Sequence, residues 1–297
     1  MSMIVSSIGQ GLLWGILGIA LFLTFRILNF PDMTVEGSFP LGAASAVTLI
    51  THGVDPLLAS LAAFVVGALA GGITGLLYTK GKIPILLAGI LVMTACLSIN
   101  LRIMGSANVS LLGKKTIFSP LAGLPKYFDA IFIGLTIIVV VTLVIIYFLQ
   151  SELGQAFIVT GDNPTMAQSI GIRTDRMTNM GLMVSNGLIA FGGAVIAQNN
   201  GYADINMGIG IIVIALASII IGEVVFGELT MNQRLLAITL GSIIYRFVLL
   251  IVLQLGFSTN DLNLISAILL AICLMAPRLN SLLHLDKVIK KGVTVHD

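Results

Sequence analysis

Along this chain, long apolar stretches alternate with short polar breaks. Nine stretches, at about 5–25, 38–51, 57–78, 83–103, 129–149, 177–198, 208–222, 235–256 and 262–277, predict membrane helices; most come close to the ~20 residues that a helix needs to cross the hydrocarbon of a bilayer. The second and seventh are short for full spans. Each follows a polar stretch bearing Gly or Pro: Asn29-Phe-Pro-Asp-Met-Thr-Val-Glu-Gly37 before the second, Asn199-Asn-Gly-Tyr-Ala-Asp-Ile-Asn-Met-Gly208 before the seventh. Short or interrupted segments at corresponding places in two halves predict an inverted repeat; ordinary loops would give the same pattern.

Two longer polar elements stand out between the spans. The first, 150–176, contains Glu152-Leu-Gly-Gln-Ala-Phe-Ile-Val-Thr-Gly-Asp-Asn-Pro-Thr-Met-Ala-Gln-Ser-Ile-Gly171. It predicts a short helix stopped at Thr160-Gly161, a break capped by Asp162 or Asn163, and a second short helix that begins at Pro164 and ends at Gly171 in the left-handed conformation. A structured element of this length suits docking on a soluble partner. The second, 105–129, carries Lys114, Lys115, Pro120 and Pro125. Either a solvated cap or a contact with a partner outside the membrane would account for it.

Composition fixes the solvent. The chain has 297 residues, 57% hydrophobic and 9% charged, with mean hydropathy +1.08, against about 25% charge in soluble domains. So much apolar surface requires lipid, and the fold class expected is all-α, a polytopic membrane bundle of about 8–10 segments forming one domain over 1–297. The 32 glycines fit helices that approach closely in a membrane. The net charge of +2 gives no reason to expect nucleic acid. Orientation follows from the basic residues. With the Lys-rich tail inside and an odd number of spans, Arg26, Lys80, Lys82, Arg173, Arg176, Arg234, Arg278, Lys287, Lys290 and Lys291 face the cytoplasm, while Arg102, Lys114, Lys115 and Lys126 are external. The N-terminus is then outside, and the first apolar stretch, lacking a basic start, reads as a retained span rather than a cleaved signal.

Catalytic signatures are missing from the sequence. Gly113-Lys-Lys-Thr116 lacks the earlier glycine of a phosphate-binding loop. His52, His284 and His296 are scattered, and Cys96 and Cys273 lie in apolar spans, so no metal set and no disulfide is expected. Four residues are candidates for a pathway or gate. Arg246 lies near the middle of a span, where a charge costs about 2.5–3.5 kcal/mol and calls for protein or water around it. Asp32, Glu36, Glu223 and Glu228 are its possible partners, in a gating pair or in one that fixes helix register. Asp32 and Glu36 precede a short helix whose dipole would stabilise them; capping explains them, and so would a place on a translocation path. Ser38 belongs to the small-residue run Gly37, Ser38, Gly42, Ala43, Ala44, Ser45, suited to tight packing or a pore wall.

The run Leu153-Gly-Gln-Ala, Thr160-Gly-Asp-Asn-Pro164, Ala167-Gln-Ser-Ile-Gly-Ile172 resembles the cytoplasmic coupling segment of ABC-importer permeases in the branched-chain amino-acid and ribose permease superfamily. Asn29-Phe, Glu36-Gly37 and Gly42-Ala43 resemble that superfamily's early motif. Ile221-Gly-Glu, Phe226-Gly227, Leu240-Gly-Ser-Ile-Ile-Tyr-Arg246 and Asp261-Leu-Asn-Leu-Ile-Ser-Ala267 are similar to a narrower group of importers with lipoprotein partners, described with aromatic amino acids among the suggested solutes. The resemblance implies that Gly154, Thr160, Gly161, Asp162, Asn163, Pro164, Met166, Ala167, Ile170 and Gly171 form the ATPase-coupling segment. It implies a cytoplasmic ATPase dimer that binds ATP and Mg, with no cofactor in this chain. It implies a second permease copy, an extracytoplasmic binding lipoprotein and a small solute, an amino acid in the first instance. One departure matters: where the superfamily often has basic residues after Leu-Gly, this chain has Gln155, Ala156, Phe157 and Ile158. An apolar knob in a groove is then the better mechanism for the ATPase contact. From the residues alone, an ion-coupled secondary transporter using Arg246 and Glu36 stays open. A channel is disfavoured because no ring of repeated polar residues is seen.

Overall fold

A computed structural model describes residues 2–121, 123, 125, 127–227, 229–257 and 261–282. Lys126, Glu228, His284, Lys287, Lys290, Lys291, His296 and the side chain of Arg278 lie outside the described residues. The helices are α1 (Ser2–Leu21), α2 (Val35–Thr51), α3 (Pro56–Thr79), α4 (Ile85–Met104), α5 (Phe128–Gln150), α6 (Glu152–Asp162), α7 (Pro164–Ser169), α8 (Thr174–Asn200), α9 (Ile211–Phe226), α10 (Met231–Gln254) and α11 (Leu262–Leu282). Among the described residues six helical stretches, including Met3–Ile27, Pro56–Thr79 and Thr174–Asn200, are long and apolar enough to cross a membrane. All nine predicted segments correspond to helices.

The fold is a repeat of four helices turned over. α3 lies along α8 as α10 lies along α1, and α2 rests on α3 and α4 as α9 rests on α10 and α11. Chain direction inverts between the sets: α1, α2, α3 and α4 run opposite to α8, α9, α10 and α11. α5 stands outside the repeat against α1. The short segments are half-helices, α2 with 17 residues and α9 with 16. Their N-terminal ends meet, where the Gly210 amide donates to Glu36 Oε1 at 3.1 Å, and the two helices leave that meeting point for opposite ends of the bundle.

Local chemistry sets these boundaries. After α1 the chain loosens into a π-helical turn, Phe22–Ile27, and breaks at Asn29, whose φ is +53°. Asp55 caps α3 by accepting from the Leu57 and Leu58 amides, with Pro56 as first helical residue. Thr230 and Gln233 form a reciprocal capping box on α10. Between helices that gain nothing from hydrophobic burial, close backbone approach supplies the attraction. A side chain at Gly67, Gly71 or Gly75 of α3 would run into Asn186, Leu182 or Asn179 of α8, and Gly241 of α10 lies against Ser218 and Gly222 of α9. The outward face of α3, with Leu57, Leu61, Val65, Leu69 and Ile73 exposed, is left to lipid.

One end of the bundle gathers α6, α7, Arg26, Lys80, Lys82, Arg173, Arg176 and Arg234; the other carries Arg102, Lys114 and Lys115. This is the separation on which the predicted orientation rested. The predicted external element folds partly as a strand. Asn108–Ser110 pairs antiparallel with Tyr202–Asp204, with Val109 opposite Ala203. Strands of three residues are too short to show alternation in a sequence.

Candidate functional site

α6 and α7 lie across the end of the bundle as a bracket. The predicted stop at Thr160-Gly161 is corrected: α6 continues to Asp162. Inside the helix the Thr160 hydroxyl donates to the Ala156 carbonyl at 2.7 Å, and Gly161 is pressed on the backbone of Ile27 and Leu28. The break falls at Asn163 (φ −150°, ψ 92°) because the ring of Pro164 bars helical geometry from the residue before it. Of the two candidate caps, Asn163 is the one used: its Oδ1 accepts from the Met166 amide at 3.0 Å. Gly171, with φ +88°, ends the turn after α7.

The bracket has two faces. Gly154, Thr160, Gly161 and Ala167 are buried, whereas Asp162, Asn163, Pro164, Met166, Ile170 and Gly171 are exposed. Phe157, which the sequence offered as an apolar knob, is fully buried against Phe148 and Gly181. The outward apolar side chains are Leu153, Met166 and Ile170, 56%, 55% and 59% exposed. The inner face is seated on the α1–α2 break: Asn29 Nδ2 donates to the Gly161 carbonyl at 3.3 Å, and Gly181 of α8 closes on Phe157 and Leu28.

From that break a polar network leads to the half-helices. Asp32 is fully buried. Its Oδ1 accepts from the Thr34 amide at 2.9 Å, and its Oδ2 accepts from Asn186 Nδ2 at 2.6 Å. Asn186 Oδ1 accepts from the Ser38 hydroxyl at 2.6 Å, and Asn186 Nδ2 also donates to the Leu182 carbonyl at 3.0 Å. The Thr34 and Thr74 hydroxyls share a 2.7 Å hydrogen bond. The first half-helix, its leading loop, α3 and α8 are thus joined through side chains with satisfied hydrogen bonds, as buried polar groups require. Helix α2 begins earlier than predicted, at Val35, so Glu36 lies in its first turn rather than before it. Glu36 also receives the Gly210 amide, so the positive ends of two half-helices converge on one carboxylate. Gly208 leaves no room for a side chain against the Glu36 carbonyl.

The structure brings Asp32, Ser38 and Glu36 into one region and leaves Arg246 out of it. The expected partners are corrected: Asp32 is held by Thr34 and Asn186, Glu36 by Gly210, and Glu223 takes Arg26 at 3.0 Å and Arg234 at 3.8 Å. The Arg246 guanidinium instead lies over the ring of Trp14, 4.2 Å from its centroid. Asn186, Thr74 and Gly210 are the residues sequence reasoning missed, and Asn29, read there only as part of a motif, gains its contact with Gly161 from the structure. Asn186, an amide between apolar and small residues in a span, is the one that carries a signal, an uncharged polar group inside the membrane. Among the described residues no group of His, Cys, Asp or Glu could hold a metal ion.

Comparison with known proteins gives this architecture its context. Residues 3–276 match the family described as the permease component of the branched-chain amino acid transport system. A tyrosine transport system permease protein of Clostridioides difficile is 40% identical over 280 residues, 94% of this chain and 93% of that protein. An uncharacterised protein of Rickettsia prowazekii is 32% identical over 278 residues, 92% of this chain and 97% of that protein. Among solved structures, PsaBC of Streptococcus pneumoniae in complex with Fab aligns with a TM-score of 0.48 at 18% identity, covering 92% of this chain and 89% of that one. Family membership decides between the ATP-driven and ion-coupled readings of the sequence. The chain belongs to the branched-chain amino acid transport system permease family: it is a multi-pass protein of the bacterial plasma membrane and the transporting, non-catalytic subunit of an ATP-binding-cassette importer, which works with separate ATPase and substrate-binding subunits.

Proposed function

We propose that two copies of this chain pair around a common solute path with twofold symmetry. In this reading a cytoplasmic ATPase dimer, holding ATP and Mg, grips the α6–α7 bracket, and an external lipoprotein delivers an aromatic amino acid. The observation that carries its coupling part is the run of contacts from the bracket to the half-helices: Gly161 with Asn29 and Ile27, then, along the same stretch of chain, Asp32 and Ser38 with Asn186, and Glu36 with Gly210. Met166 and Ile170, exposed and apolar on the outer face, fit a groove in the ATPase, and the buried Gly161 carries a push inward. The amino-acid solute is supported by the 40% identity with a permease named for tyrosine transport. Transport requires ATP and the loaded binding protein to bind the outward- and inward-open states with different affinities.

The test is purification from the native membrane in a mild detergent, with partners identified and ATP hydrolysis assayed. The expected result is co-purification with an ATPase in stoichiometric amount and with a lipoprotein that binds an aromatic amino acid. A homo-oligomer that carries neither, or a lipoprotein selective for sugars or nucleosides, would contradict the partner set or the solute.

A further inference from the structure

Arg246 lines a cavity of about 570 Å³ at the outer end of the bundle, between α1, α10 and the start of α11, beneath Tyr127. The volume is within the roughly 300–1,000 Å³ of small-molecule sites. Gln10 and Gln254 give its wall polar groups, and Leu249 and Leu253 give it an apolar side. The arginine is fixed from below: its guanidinium covers Trp14, and the Trp14 indole N–H donates to Gln10 Oε1 at 3.3 Å. Nε and Nη2 of Arg246 are buried and meet no acceptor among the described residues. A guanidinium among apolar helices with donors unspent is a poor structural element, because each unmade bond carries a desolvation cost. Arg246 as a whole is only half-buried, so the rest of its guanidinium is what meets the cavity, and a carboxylate there would take a charge-assisted hydrogen bond from it.

We propose that this cavity receives the solute on the outer side of the membrane. Arg246 takes the carboxylate, and the Leu249–Leu253 wall covers the apolar side chain. The proposal rests on the amino-acid importer reading above and deepens it by placing a solute contact in this chain.

Trp14 is the single tryptophan of the chain, so its emission reports on the cation above it. The experiment titrates the full-length chain in phosphatidylcholine liposomes with L-phenylalanine and with L-phenylalaninamide, which keeps the ring and lacks the carboxylate. The expected result is a saturable change in Trp14 emission with phenylalanine and binding of the amide weaker by about tenfold or more. Arg246→Lys should retain a weakened response and Arg246→Gln should lose it. Equal responses to acid and amide, or no response to either in the unmodified chain, overturn the proposal whatever the variants do. A response seen only when phosphatidylglycerol is added assigns the site to a lipid headgroup and also overturns it. Phenylalanine uptake by the assembled importer is measured in parallel. Uptake with a silent Trp14 removes the cavity and leaves the importer reading standing; a carboxylate-dependent response without uptake of any amino acid does the reverse.

Discussion

The two half-helices are counterparts in the inverted repeat, yet they are held very differently at their N-terminal ends. The start of α2 is bound through Asp32, Thr34 and Ser38 to Asn186 on α8 and to Thr74 on α3. The start of α9 is reached through Gly208-Ile209-Gly210, with φ +78° at Gly210, Ile209 exposed, and one amide donated to Glu36. At its far end α9 is tied by Glu223 to Arg26 and Arg234, two partly exposed contacts of about 1 kcal/mol each or less. In the proposed mechanism this difference sets a division of labour: α2 would move as one body with the bracket and α8, and α9 would be the element whose position changes against it. The seam between them, Glu36 against Gly208 and Gly210, is where a motion begun at the coupling end would open or close the path.

That contrast can be broken from either side. The largest effect is expected from Asn186→Leu, which strips Asp32 and Ser38 of their partner on α8. Leaving a buried carboxylate short of a hydrogen bond should cost about 3 kcal/mol, seen as a clear fall in the unfolding midpoint of the detergent-extracted protein. An unchanged midpoint would mean that α2 is not anchored there. Next comes Gly208→Val, which puts a side chain against the Glu36 carbonyl. Overpacking of this kind costs roughly 1–3 kcal/mol, but the diagnostic loss is uptake: the α2–α9 seam is wedged, so transport should fall much further than protein yield. Equal falls in both would make Gly208 a packing residue only. The smallest effect belongs to Glu36→Gln. The amide oxygen can still accept from Gly210, so stability should change by about 0.5 kcal/mol or less. Any larger change in uptake at constant stability would then isolate the negative charge at the meeting of the two helix ends.

Much of this was legible in the sequence, for identifiable reasons. Spans announce themselves by length and apolarity, so all nine predicted segments found their helices, and the short ones, 38–51 and 208–222, marked the half-helices α2 and α9. Asn163, Pro164 and Gly171 were readable because capping and left-handed turns demand particular residues. Gly161 misled because a glycine beside a threonine is the usual end of a helix. Here its missing side chain serves contact with Ile27, a tertiary reason that no local pattern contains. Phe157 misled for the same cause, since position in a segment does not say which face is inward. Arg246 was found as an outlier but assigned the wrong neighbours. Carboxylates attract attention in a sequence, whereas the Trp14 face that receives the guanidinium is more than two hundred positions away and carries no charge.

The most direct measurement compares solute uptake and ATP hydrolysis in the same proteoliposomes for the unmodified importer and for the double variant Met166→Ala, Ile170→Ala. Both side chains are exposed and take no part in the seating of the bracket, so insertion and unfolding midpoint should stay as they are. The expected result is loss of uptake together with loss of the stimulation of ATP hydrolysis by the loaded binding protein. Uptake and stimulation at the unmodified level would contradict the claim that α6 and α7 couple the ATPase to the half-helices.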